Sequence, residues 1–169
     1  AHKTWDDYVE DGVMAAIDRF REKYAFLSNF HPSQVGMDGL IYPTVEHAYQ
    51  AAKTLNPGLR AAIRTAGTPG YAKQMGRAVK LREDWESVKL DVMLDLLRRK
   101  FSHDDFRKQL LATGDATLIE GNDWGDHFWG MSGYHPNRKG LNHLGRLLMQ
   151  VRSELRAKAS KFADVEGLI

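Results

Sequence analysis

Hydrophobic and polar positions follow two different rhythms along this chain, and the change falls near residue 43. Before it the apolar residues come in short groups, Phe26-Leu27-Ser28-Asn29-Phe30 and Leu40-Ile41-Tyr42, broken by Pro32, Gly36 and Asp38-Gly39. That pattern predicts small strands and loops. From Val45 onward apolar positions recur at helical spacing. Thr44 ahead of Val45 predicts a helix running to Lys53; Asn56-Pro57 starts a second that Gly67 ends, and Thr68-Pro69 opens a third through Gln74-Met75. The clearest helix is 84–101, where Trp85, Val88, Val92 and Leu96, flanked by Met93 and Leu97, form a broad stripe. A shorter helix over 104–112 is closed by Thr113-Gly114-Asp115, and residues 118–140 read as loop with one or two short strands. The last helix, 141–158, buries Leu144, Leu147, Leu148, Val151 and Leu155. An opening helix over 4–16 offers Trp5, Tyr8, Val9 and Val13 as its apolar side, despite Gly12. The expected fold is mainly α with a minor β component (α+β). It comprises an N-terminal extension (1–16), one compact domain (17–159) and a C-terminal tail (160–169).

Composition narrows the functional classes. A chain of 169 residues with 43% apolar and 27% charged content is an ordinary soluble domain with room for a core. No cysteine is present, so disulfides, thiolate metal sites and thiol nucleophiles are excluded. A net charge of +2 is too balanced for a nucleic-acid coat, though not for a local basic patch. No run reaches the length of a membrane span, and the charged start from His2 to Asp7 is not a signal peptide, so a cytoplasmic protein is expected.

Candidate chemistry concentrates in two places. On the helix after Thr44, residues Glu46, Gln50 and Lys53 stand at i, i+4 and i+7 and share one face. Acid and amine are roughly 10 Å apart along the axis. Taken alone, a helix-start carboxylate and a solvated lysine explain the pair first. Partial burial would change that, since a neutral amine attacks a carbonyl or sugar carbon. The second place is the loop Glu120-Gly121-Asn122-Asp123-Trp124-Gly125-Asp126-His127-Phe128-Trp129-Gly130. Its aromatics could stack on a base or sugar, and its acids could accept ribose hydroxyls. Asp123, Asp126 and His127 carry ligating atoms, but their spacing matches no metal motif, so neither metal nor cofactor is expected. His127 could also carry a proton. Elsewhere, Asn29 could bind a ligand or hold its own loop, and Gly76-Arg77 could meet phosphate or be ordinary surface. Trp85 and His47 read as structural, and Asn137-Arg138-Lys139-Gly140 as a basic turn open to phosphate.

In order, several motifs resemble the NADAR (YbiA-like) family. They are Phe26-Leu27-Ser28-Asn29-Phe30, Tyr42 through Lys53, Met75-Gly76-Arg77, Asp84-Trp85, Lys89, Met93, Lys100-Phe101 and Thr113-Gly114-Asp115. Leu118-Ile119-Glu120, Asp126-His127-Phe128-Trp129-Gly130 and Gly140 through Met149 complete the series, which covers roughly 20–156. The resemblance implies a mostly helical N-glycosidase. Its substrates would be ADP-ribosylated guanine, in DNA or as a nucleotide, or phosphoribosylamino-pyrimidine intermediates of riboflavin synthesis. A functional pairing with a DNA ADP-ribosyltransferase toxin would follow from the first. It further implies Glu46, Lys53 and Asp126 as catalytic residues. Asn29, Phe30, Gly76, Arg77, Trp85, Glu120, Asn122, Trp124, Trp129, Gly130 and Asn142 would bind substrate. A catalytically silent nucleotide-binding module is the rival from another class. The loop 131–139 is longer than the minimal family loop, and such loops set specificity.

Overall fold

A computed structural model describes residues 16–134 and 137–167. The helix expected over 4–16 therefore lies outside the described residues, except for Ala16, which stands in a strand. Helices dominate and the strands pair only two at a time, an α+β arrangement. Contacts divide the chain into two units, one of Ser28–His103 and one of Ala1–Leu27 with Asp104–Ile169.

The unit of residues 28–103 begins with a hairpin of β2 (Val35–Met37) and β3 (Leu40–Tyr42), antiparallel with Val35 opposite Tyr42. Asp38 and Gly39 both take positive φ, 49° and 81°, as a tight two-residue turn between twisted strands requires. Four helices follow: α1 (Val45–Ala52), α2 (Pro57–Arg64), α3 (Pro69–Ala78) and α4 (Trp85–Lys100). The first three start where the capping residues predict. Thr44, Asn56 and Thr68 each accept a hydrogen bond from the backbone N–H three residues on, and a proline stands at the start of α2 and α3. Asp84 makes no such side-chain cap; its carboxylate is bound by Arg82 instead.

Helix α1 is the centre of this unit. It packs against α2, α3 and α4, and all eight of its residues are buried. A helix buried all round is normally apolar. This one carries Glu46, His47 and Gln50, whose desolvation must be offset by polar contacts. His47 shows how: Nε2 donates to the Ala66 carbonyl at 2.9 Å, and Nδ1 accepts from the Thr44 hydroxyl at 2.7 Å. Both ring nitrogens are used structurally, as its sequence position implied.

In the other unit, β1 (Ala16–Ile17) pairs in parallel with β4 (Thr117–Leu118), and β5 (Gly121–Asn122) pairs in parallel with β6 (Met131–Ser132). A 3-10 helix (Glu22–Leu27) packs on α5 (Asp104–Ala112). The long α6 (His143–Glu166) lies against α5 and β4. Phe26, Leu27, Leu110, Leu118, Leu144, Leu148 and Val151 form the core of this unit. Helix α6 continues through residues 160–166, assigned above to a tail. That last stretch is exposed on every side, so no burial pattern marked it, although Lys158, Ala159, Lys161 and Ala163 favour helix by propensity.

Candidate active site

Glu46 sits in the first turn of α1, its backbone N–H bonded to the Asn29 carbonyl at 3.1 Å. Its side chain is buried, and Gln50 one turn later donates Nε2 to Glu46 Oε1 at 2.7 Å. Lys53 closes the same helix as its C-cap residue, half-buried, with Nζ 5.6 Å from the centre of the Tyr49 ring. The Tyr49 ring in turn packs on Trp85 with centroids 5.2 Å apart. The Tyr49 ring thus forms one side of the amine's surroundings.

Burial is the main cause that pushes the Lys53 pKa below the ordinary lysine range. Arg77 and Lys73 on α3 and Lys89 on α4 add repulsion in the same direction, while the Glu46 carboxylate opposes them. The amine is therefore easier to deprotonate than a surface lysine. It also stands among cations suited to an anionic ligand.

The remaining predicted residues of this unit fall around that helix. Asn29 is buried, with Nδ2 3.5 Å from the Met93 sulfur and Oδ1 without a hydrogen-bond partner. Phe30 is exposed and lies 5.9 Å from Lys73 Nζ. Trp85 is buried against Tyr49 and forms core, and Arg77 is exposed on α3. Gly76 packs onto Gln50: a Cβ there would lie 1.8 Å from Gln50 Oε1. The loop 28–30 rests on Lys100, which is wholly buried and donates Nζ to the Ser28 carbonyl at 2.9 Å. Desolvation lowers the Lys100 pKa to about 7.

The aromatic–acidic loop belongs to the other unit, where much of its polar equipment builds the loop itself. Asn122 is buried and clasps Asp126, donating Nδ2 to its carbonyl and accepting its N–H at Oδ1, both at 2.9 Å. Asp126 Oδ1 accepts the backbone N–H groups of Phe128 (3.1 Å) and Trp129 (2.9 Å). Asn142, in the left-handed region at φ 53°, donates to the Leu118 carbonyl and accepts from the Glu120 N–H, each at 3.0 Å. Gly130 is glycine for space, since a Cβ would lie 2.1 Å from the Glu120 carbonyl oxygen. Glu120 is half-buried, Trp124 is exposed, and Trp129 packs edge-on to Phe128 with centroids 4.8 Å apart. His127 bonds to the Ser132 hydroxyl at 2.5 Å. Among the described residues no group of three His, Asp or Glu could hold a metal ion. No helix there is long and apolar enough to cross a membrane.

The structure brings Glu46, Lys53, Gly76, Arg77 and Trp85 around one helix, and collects Glu120, Asn122, Asp126, Trp129, Gly130 and Asn142 in one loop system. The residues without an assigned role in the sequence reading are Gln50, Tyr49, Lys73 and Lys100. Gln50 was legible in principle through its i+4 spacing from Glu46. The others depend on packing between helices.

The NADAR domain profile matches residues 17–156, through both units. The chain is 42% identical over 137 residues to N-glycosidase YbiA of Escherichia coli (strain K12), covering 79% of this chain and 83% of that protein. It is 37% identical over 141 residues to the riboflavin biosynthesis protein VVA0006 of Vibrio vulnificus (strain YJ016), covering 82% of this chain but 37% of that protein. The NMR structure of the E. coli protein YbiA superposes with a TM-score of 0.75 at 39% identity, covering 86% of this chain and 88% of that one.

Proposed function

Given that the chain belongs to the NADAR family, we propose that it is an N-glycosidase that hydrolyses the C1′–N bond of a ribosylated base, with ADP-ribosylated guanine, in DNA or as a nucleotide, as substrate. The observation that carries this reading is the depressed lysine: Lys53, half-buried against Tyr49, shares a helix face with the buried carboxylate of Glu46. A buried acid one turn from its amide partner and a deprotonatable amine suit a reaction in which positive charge develops on a sugar carbon. Neutral Lys53 Nζ attacks C1′ as the bond to the base breaks, and Glu46 delivers a proton to the departing nitrogen. Nζ, left as an ammonium, returns a proton to the Glu46 carboxylate, which passes it to O4′ as the C1′–O4′ bond opens, giving a protonated imine between Lys53 and the ribose. Water adds at C1′, assisted by the Glu46 carboxylate, and releases the sugar and the free amine. Arg77, with Lys73 beside it, supplies charge for the substrate's phosphates. A role division in which Glu46 activates water and Lys53 only binds phosphate is the rival mechanism.

A second substrate reading, a riboflavin-pathway N-ribosyl phosphate, is favoured by the name of the Vibrio vulnificus relative. Incubation with ADP-ribosylated guanine DNA and with the pyrimidine riboside phosphate, followed by mass spectrometry, decides between them. Borohydride should trap an enzyme–sugar adduct that Lys53→Ala abolishes. Turnover without any adduct under single-turnover conditions would refute the imine, and activity on neither substrate would refute the enzyme.

A further inference from the structure

We infer that Gln50 is a positioning residue that fixes the Glu46 carboxylate, and that position 76 is glycine because the Gln50 amide must fill the space of a side chain there. The orientation of the amide is determined by its partner. Nε2 lies 2.7 Å from Glu46 Oε1, and the reversed amide would set two acceptors against each other at that distance. Gln50 Oε1 must then turn away from Glu46, and it turns onto Gly76. A Cβ built there would be 1.8 Å from Oε1, 2.7 Å from Cδ and 3.0 Å from Cβ of Gln50. Rotating the amide away relieves the two shorter contacts only by giving up its place beside Glu46, and it leaves the Gln50 Cβ at 3.0 Å.

The arrangement is poor for stability. Gln50 is 3% exposed, and its Oε1 has no hydrogen-bond partner. A buried acceptor left unmet offsets most of what the bond to Glu46 contributes. What the bond does provide is a fixed carboxylate rotamer on a rigid, fully buried helix. Gly76 therefore acts on the reaction through Gln50 rather than as a backbone donor to phosphate.

The activity arm of the test rests on the N-glycosidase reading; the titration arm does not. Gln50→Met keeps the length of the side chain and removes the amide. It is expected to lower kcat about 10–100-fold with KM nearly unchanged. Gly76→Ala, which evicts the amide, should cost a similar factor. In the Gln50→Ala background it should cost much less, since the amide is gone and only the 3.0 Å approach to the Cβ of residue 50 remains. Losses that multiply in the double variant, or an unchanged kcat in Gln50→Met, overturn the inference. If Gly76→Ala does not fold, recovery of folding in Gly76→Ala/Gln50→Ala is expected, and its absence counts against the steric link.

Independently of activity, 13C NMR of the Glu46 carboxyl should show a titration midpoint that moves up in Gln50→Met. Lys53 on α1, Lys73 and Arg77 on α3 and Lys89 on α4 remain in that variant, so the shift isolates the amide. An unmoved midpoint refutes the positioning role. Inactivity of the unaltered protein on every N-ribosyl substrate sinks the functional reading alone and leaves the titration to decide.

Discussion

Replacing Lys100 by methionine should stabilise the protein near neutral pH and flatten its stability profile on the alkaline side. The Lys100 side chain is wholly buried, and burial lowers its pKa from 10.5 to about 7. Between those two values the unfolded chain holds a proton that the folded chain has released. Stability therefore rises with pH across that window, by at most 1.36 kcal/mol per unit for one proton. At pH 7 the desolvated amine costs roughly 4 kcal/mol, and by pH 9.5 that falls to about 1–2 kcal/mol. Methionine removes this cost but also the bond to the Ser28 carbonyl, about 1–3 kcal/mol. The net expectation is a gain of about 1–3 kcal/mol at pH 7, shrinking or reversing by pH 9.5. Urea denaturation followed by Trp fluorescence at pH 7.5 and 9.5 measures it. The unaltered protein should gain roughly 2–3 kcal/mol between the two, relative to Lys100→Met. Lys53 titrates in the same sense but is common to both proteins, so the comparison isolates Lys100. The His31 pKa, lowered chiefly by its own burial and further by the Lys100 charge, should rise in the variant. Equal pH slopes in the two proteins would refute the buried-amine argument.

Two further perturbations probe the site and the loop. Arg77→Gln removes a charge that disfavours protonated Lys53, so the Lys53 pKa should rise. A reaction that needs the neutral amine should then have the acidic limb of its kcat profile displaced to higher pH; a limb that stays or moves down assigns the titration to another group. Asn142→Ala loses both the tie to Leu118 and the tie to Glu120 at a left-handed residue, and should cost about 2–4 kcal/mol in denaturant unfolding. Asn142→Gly should recover only the backbone share, and a loss under about 1 kcal/mol in the alanine variant would show that the two ties contribute little.

The sequence by itself determined where α1, α2 and α3 start. Thr44, Asn56 and Thr68 are local signals, because a cap is a bond between a side chain and a backbone group only three residues away. Asp38-Gly39 marked a break between short strands in the sequence, and the structure pairs those strands as a hairpin around it. The shared face of Glu46, Gln50 and Lys53 followed from helical periodicity alone. What periodicity left open was the environment of that face, and there only the tertiary structure decided. Glu46 and Lys53 looked like a helix-start acid and a solvated lysine until α2, α3 and α4 were seen to cover α1 entirely. Burial then lowers the lysine pKa and sets the amide of Gln50 between Glu46 and Gly76. The clasps that Asn122 and Asn142 make within their loop were likewise not legible, because their partners stand on distant or turned backbone that no spacing rule encodes. Desolvation depends on what lies across space, and a linear pattern carries only what lies within a few residues.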